Sequence, residues 1–402
     1  MLTSLSFIFL VGLAMAAICQ KLRLPRIIGM LATGIMLGPY ILDALDPSIL
    51  SISSELRKMA LIIILIKAGL SLNLADLKKV GRSAVMMSCI PASCEILAFL
   101  IFAPAILGIT EIEAAVMGAV LGAVSPAVVV PRMVSLMERG YGTKKSIPQL
   151  IMAGASCDDI FVVVLFTAFV SMAQGGTVQI MDFVNIPISI LLGVALGTGA
   201  GFLLSRFFET AYAHKHCIRN SMKVIIVLGF SFLLISIESW LEGSISVSGL
   251  LAVVSMACAL KIKSTAFVSK RLSEKFGKLW LASEVLLFVL VGAAVDIRYT
   301  LEAGPAAAVM IFIALAFRGA GVFICLIGTK LNWKEKMFCI IAYLPKATVQ
   351  AAIGSVPLSI GLPCGKLVLS VAVLAILITA PLGAIAMDAL YVKLLTRRTS
   401  ND

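Results

Sequence analysis

The sequence predicts an all-α membrane protein of thirteen transmembrane helices, built as inverted six-helix repeats with two crossing discontinuous helices. Three observations lead there. Of 402 residues, 60% are apolar and 13% charged, with a mean hydropathy of +1.08; a soluble domain carries about a quarter charged residues. The apolar residues gather in runs of membrane-spanning length. Two of those runs are interrupted by proline at matching places. The composition excludes a water-soluble enzyme, and also disorder, which requires few apolar residues and much charge. The short loops leave no room for a separate soluble domain.

The runs place spans near 4–20, 27–42, 59–72, 82–106, 112–136, 148–174, 183–207, 222–240, 246–262, 276–296, 305–328, 335–357 and 366–391. Of the 33 Lys and Arg, 26 fall in the odd-numbered connections and the C-terminal tail, among them Lys78, Lys79, Arg139, Lys144, Lys145, Lys261, Lys263, Lys334 and Arg397. The even-numbered connections hold only Arg57, Lys58, Arg298 and Lys366. By the positive-inside rule the C-terminus is cytoplasmic and the N-terminus outside. The net charge of +12 therefore reports topology and attraction to anionic lipid, with no nucleic-acid partner needed. The first span has no basic region before it and is expected to be retained, not cleaved as a signal. The cysteines sit mostly in apolar runs without a C-x-x-C and are read as small packing residues. His214 and His216 fall in a basic loop, where solvation is expected.

Spans 5 and 12 carry the breaks. Ser125-Pro126-Ala-Val-Val-Val-Pro131 interrupts one, and Leu344-Pro345-Lys346-Ala-Thr348, with Pro357 beyond it, interrupts the other. Proline removes a backbone donor and clashes with the preceding turn, so each span should be two half-helices around an unwound stretch. Pro126 and Pro345 are 219 residues apart (345 − 126). The same offset carries the start of span 1 onto span 8 and of span 6 onto span 13. Spans 1–6 thus repeat as 8–13, with span 7 as linker, and the second copy starts from the opposite side. Paired broken helices in an inverted repeat point to a transport site at the bilayer midplane.

Seven ionisable residues lie at bilayer depth: Lys67, Glu95, Asp158, Asp159, Glu284, Arg318 and Lys346. Each costs about 2.5–3.5 kcal/mol even on the lenient insertion scale, and such groups mark function by default. Four anions face three cations, a deficit that a proton or a metal cation can supply. Glu284 is the weakest member, within reach of a basic loop. Asp158 and Asp159 are adjacent on a helix and point about 100° apart, which disfavours an intramembrane aspartyl protease with its converging carboxylates. The arrangement suits one carboxylate that exchanges a proton for a cation and another that pairs with a fixed base. Glu95 and Arg318 sit at comparable depth on repeat mates, with Lys67 a competing partner for Glu95. Lys346 is placed to offset the carbonyl ends of half-helices. Ser125 and Thr348 offer hydroxyl oxygens at the breaks, the ligand type a small hard cation prefers.

The segments around Ser125-Pro126 and Cys157-Asp158-Asp159, with Leu344-Pro345-Lys346-Ala-Thr348-Val-Gln350, resemble the monovalent cation/proton antiporters. They are most similar to the double-aspartate sodium/proton antiporters of the NHA type. The resemblance runs from about Lys21 to Pro381. It implies a homodimeric inner-membrane exchanger of Na⁺ or Li⁺ for H⁺, with no cofactor beyond the transported ions. Residues 1–80 would form scaffold and dimerisation helices 1–3, 81–175 core helices 4–6, 176–215 linker helix 7, 216–300 scaffold helices 8–10 and 301–402 core helices 11–13. The core would move as an elevator. Asp159 is similar to the cation- and proton-binding carboxylate, Asp158 to its partner, and Ser125 and Thr348 to the hydroxyl positions of the broken helices. Arg318 resembles the basic residue that replaces a lysine of many electrogenic relatives. Lys67 stands where NHA-type sequences have Arg, and Ala294 where they can have Glu. K⁺/H⁺ exchange is the nearest alternative, and a Na⁺-coupled organic anion symporter could share the architecture.

Overall fold

The computed structural model describes residues 1–22, 24–71, 81–175, 180–213, 219–241 and 247–397. His214, His216, Arg23, Lys78, Lys79, Lys215 and Arg398 lie outside them. The regular secondary structure among the described residues is helical, apart from an isolated bridge between Tyr141 and Arg397. In chain order the helices are α1 (Leu2–Lys21), α2 (Arg26–Leu37), α3 (Pro47–Ser51), α4 (Ser53–Ser71), α5 (Arg82–Met87), α6 (Ile90–Leu107), α7 (Glu111–Leu121), α8 (Pro126–Glu138) and α9 (Ile147–Gln174). Then follow α10 (Ile180–Ala213), α11 (Asn220–Leu241), α12 (Gly249–Lys263), α13 (Ala266–Ala293), α14 (Ile297–Cys325), α15 (Trp333–Ala342), α16 (Thr348–Gly354), α17 (Val356–Ser359) and α18 (Gly365–Leu394).

Each apolar run contains a helix or a pair of helices. Among the described residues, eight stretches are long and apolar enough to cross a membrane by themselves, fewer than the thirteen spans expected. The physical reasons differ from span to span. Helices α2 and α12 have 12 and 15 residues, short of the roughly 20 that cross the hydrocarbon at full length. Helix α4 begins at Ser53, six residues before the apolar run at 59, and its Glu55, Arg57, Lys58 and Lys67 make it too charged to count as an apolar span. The other two runs are interrupted, as α7/α8 and α15/α16. Helix α13 also starts early, at Ala266 and not 276, because its first turns carry polar residues that hydropathy passes over.

The first halves of the interrupted spans share a start signal. Thr110 and Glu113 form a reciprocal capping box on α7, and Asn332 and Glu335 form one on α15. Each satisfies two orphan donors of a helix start without help from the rest of the fold.

The chain forms two compact units. One comprises residues 1–57, 73–162 and 285–402, and the other 58–72 and 163–284. In the second unit, Gly193, Gly197 and Gly201 recur every four residues on α10 against Ser248, Ala252 and Met256 of α12, where any Cβ would collide with backbone oxygen. Without a hydrophobic drive between helices in lipid, this small-residue seam supplies the packing instead. The first unit gathers both interrupted spans around a core that includes Phe99, Val120, Ile353 and Val371, each fully buried.

Candidate functional site

Two unwound stretches meet in the first unit: residues 122–125 between α7 and α8, and residues 343–347 between α15 and α16. Pro126 occupies the first position of α8, where a missing N–H is no loss. Ser125 before it is extended, and its N–H donates to the Pro345 carbonyl at 2.8 Å, so the two stretches bond directly. The first stretch therefore ends at Pro126. Pro131 lies inside α8 and does not mark the break.

A half-helix end leaves carbonyls without partners, and at bilayer depth there is little water to satisfy them. Here side chains do so. Leu121 O accepts from Lys346 Nζ at 2.6 Å, Gly122 O from Arg318 Nη1, and Ala123 O from Gln350 Nε2 at 2.7 Å. Tyr343 O accepts from Arg318 Nε at 2.7 Å. The N–H groups are met in parallel fashion. Val124 N–H donates to Asp158 Oδ2 at 2.8 Å, Lys346 N–H to Thr379 Oγ1 at 2.9 Å, and Ala347 N–H to Gln350 Oε1 at 2.7 Å.

Arg318, on α14, is fully buried and reaches both acids. Its Nη1 lies 2.8 Å from Glu95 Oε2 and its Nη2 2.8 Å from Asp158 Oδ2, while the guanidinium stands 5.5 Å from the centre of the Tyr343 ring. A planar fork with five donors can serve four acceptors at once, which an ammonium cannot. Lys346 Nζ completes Glu95 at 2.5 Å. Glu95 thus pairs with Arg318 and Lys346. Lys67 belongs to the second unit, where its ammonium lies 5.7 Å from the centre of the Trp280 ring.

Five charged groups converge: Glu95, Asp158 and Asp159 against Arg318 and Lys346, all buried. With all five ionised the cluster carries one net negative charge. Its surplus falls on Asp159, which is 7% exposed and whose Oδ1 has no hydrogen-bond partner. Asp158 Oδ1 and Ser125 Oγ are likewise buried without a partner. Thr348 is buried in the first turn of α16. Burying an unpaired charge is costly unless it takes up a proton or a cation, so this group is chemically suited to exchange one for the other.

Gln350, Tyr343 and Thr379 belong to the site, though the sequence assigned a role to none of them and named Gln350 only as part of the matched motif. Gln350 had a signal, a primary amide in an otherwise apolar run four residues after Lys346. Thr379 had none, because a threonine in an apolar helix commonly bonds its own preceding turn.

The sequence profile of the family described as "Sodium/hydrogen exchanger, transmembrane" matches residues 5–392. The chain is 35% identical to human sodium/hydrogen exchanger 9B2 over 386 residues, covering 93% of this chain and 70% of that protein. It is 34% identical to human sodium/hydrogen exchanger 9B1 over 390 residues, covering 93% and 73%. Its fold is similar to that of the sodium proton antiporter MjNhaP1 from Methanocaldococcus jannaschii at pH 8, with a TM-score of 0.82, 21% identity and 97% of each chain covered.

Proposed function

This chain belongs to the sodium/hydrogen exchanger family, and from that premise we propose that it is a secondary antiporter exchanging Na⁺ or Li⁺ for H⁺ through Asp159. The observation that carries the reading is the unequal treatment of adjacent carboxylates. Asp158 Oδ2 is held by Arg318 and by the Val124 N–H, whereas Asp159 Oδ1 has no partner. Asp158 is the fixed member and Asp159 the one that alternates between proton and cation, with Ser125 and Thr348 beside the ion. One alternating carboxylate gives one proton per cation, and the cycle moves no net charge.

Alternating access follows the elevator scheme: helices of the interrupted spans carry the site as one body against a scaffold through which two copies associate. Two correspondences support an inverted repeat. The capping boxes lie 222 residues apart (332 − 110). In each half a side chain from the following long helix receives the N–H of the unwound stretch, Asp158 for Val124 and Thr379 for Lys346. The thirteen-span count, the inner-membrane location with the N-terminus outside and the C-terminus cytoplasmic, and affinity for anionic lipid complete the reading.

In vesicles with an imposed pH gradient, added Na⁺ or Li⁺ should collapse the gradient for the unaltered protein but not for Asp159→Asn. Equal responses would remove Asp159 from the mechanism. A response to K⁺ alone would make the protein a K⁺/H⁺ exchanger, and Na⁺-driven uptake of a labelled organic anion would make it a symporter.

A further inference from the structure

Three consecutive carbonyls, of the last residue of α7 and the first two of the unwound stretch, are each engaged by a donor, and the donors are of two kinds. Leu121 O and Gly122 O face the basic side chains of Lys346 and Arg318, and Ala123 O faces the neutral amide of Gln350. The same amide lies 3.5 Å from Leu121 O, and its own oxygen accepts the Ala347 N–H at 2.7 Å. Gln350 is fully buried. Its side chain therefore fastens residues 121–123 of one interrupted span to the start of α16 in the other. Among the described residues, the buried oxygens without a hydrogen-bond partner at the crossing are the Tyr343 hydroxyl, Ser125 Oγ two residues further along the first stretch, and Asp158 Oδ1 and Asp159 Oδ1 on α9.

Ion selectivity depends on how many oxygens a site offers, on their field strength and on how freely they move. A donor that engages a carbonyl weakens it as a ligand and fixes its position. We propose that Gln350 is a specificity-determining residue: by occupying Ala123 O and tying the two unwound stretches together, it keeps the cation site small and limited to the hydroxyl and carboxylate oxygens, favouring Na⁺ and Li⁺ over K⁺. The inference rests on the antiport reading above. Without the amide, Ala123 O is released, the stretch can relax, and an additional carbonyl becomes available to a larger ion.

The test measures apparent KM and maximal rate for Na⁺ and for K⁺ in proteoliposomes of the full chain, comparing the unaltered protein with Gln350→Met, which keeps the side-chain volume, and Gln350→Asn, which keeps the amide but falls short by one methylene. The ratio of K⁺ to Na⁺ apparent KM should fall about tenfold in both, the range one hydrogen bond supplies. A merely structural role would depress transport of both ions together and leave the ratio alone. For a variant that reconstitutes poorly, the concentrations of Na⁺ and K⁺ that half-maximally raise its melting temperature give the same ratio. An unchanged ratio in both variants overturns the proposal while the unaltered protein still exchanges Na⁺. Absence of Na⁺/H⁺ exchange in the unaltered protein instead overturns the antiport reading on which it rests.

Discussion

Arg318→Lys tests the division of labour between the two aspartates. The guanidinium donates to Tyr343 O and Gly122 O and pairs with Glu95 and Asp158 at 2.8 Å each. An ammonium on a shorter stem donates from a single point and cannot span these acceptors. Glu95 keeps Lys346 at 2.5 Å, whereas Asp158 keeps only the Val124 N–H at 2.8 Å. Removing one partner of a buried pair costs about 3–5 kcal/mol, and a lysine that retains one acid should recover part of it, leaving a loss of about 2–4 kcal/mol. The apparent melting temperature in detergent should fall accordingly. An unpaired Asp158 can also take up a proton, so two protons can move per Na⁺ and the cycle becomes sensitive to voltage, at about 2.3 kcal/mol per charge per 100 mV. On a solid-supported membrane, a Na⁺ concentration jump should give no steady current from the unaltered protein and a measurable one from Arg318→Lys. A steady current from the unaltered protein, or a variant that melts at the same temperature and stays silent, would refute the reasoning.

Other perturbations read separate parts of the site. Ser125→Ala removes a buried hydroxyl that has no hydrogen bond to lose, so melting should be unchanged while the apparent KM for Na⁺ rises roughly threefold to tenfold. Gly383→Ala places a Cβ into the Pro345 ring and should cost about 1–3 kcal/mol by overpacking, seen as a lower melting temperature. Gly154→Ala should be similarly harmful because its Cβ would collide with the Tyr343 hydroxyl. That hydroxyl is buried without a partner, so Tyr343→Phe should be nearly neutral alone and should restore much of the loss in the double variant.

Much of this site was legible because charge is expensive in an oily chain. Asp158, Asp159, Glu95, Arg318 and Lys346 were conspicuous against their apolar surroundings, and Pro126 and Pro345 marked the unwound stretches by the chemistry of their missing N–H groups. The idea that Lys346 offsets a helix carbonyl end is met by its bond to Leu121 O, on the other interrupted span. What stayed hidden depends on contacts between distant segments. Gln350 and Thr379 act on backbone atoms that no local spacing reveals. Helix ends hid for another reason: the first turns of α4 and α13 are polar, so their helical character shows only in the backbone.

The crossed breaks also impose an order of assembly. The carbonyls of Leu121, Gly122 and Ala123 are satisfied by Lys346, Arg318 and Gln350, all of which are synthesised almost two hundred residues or more later. Until α14 and α16 have been inserted, the first interrupted span holds three carbonyls with none of these partners and Asp158 without its guanidinium. In the folded chain, therefore, these three carbonyls and the charge of Asp158 are satisfied by side chains of the second half and not by their own neighbours. The two halves behave as subunits of an obligate pair that happen to share one chain.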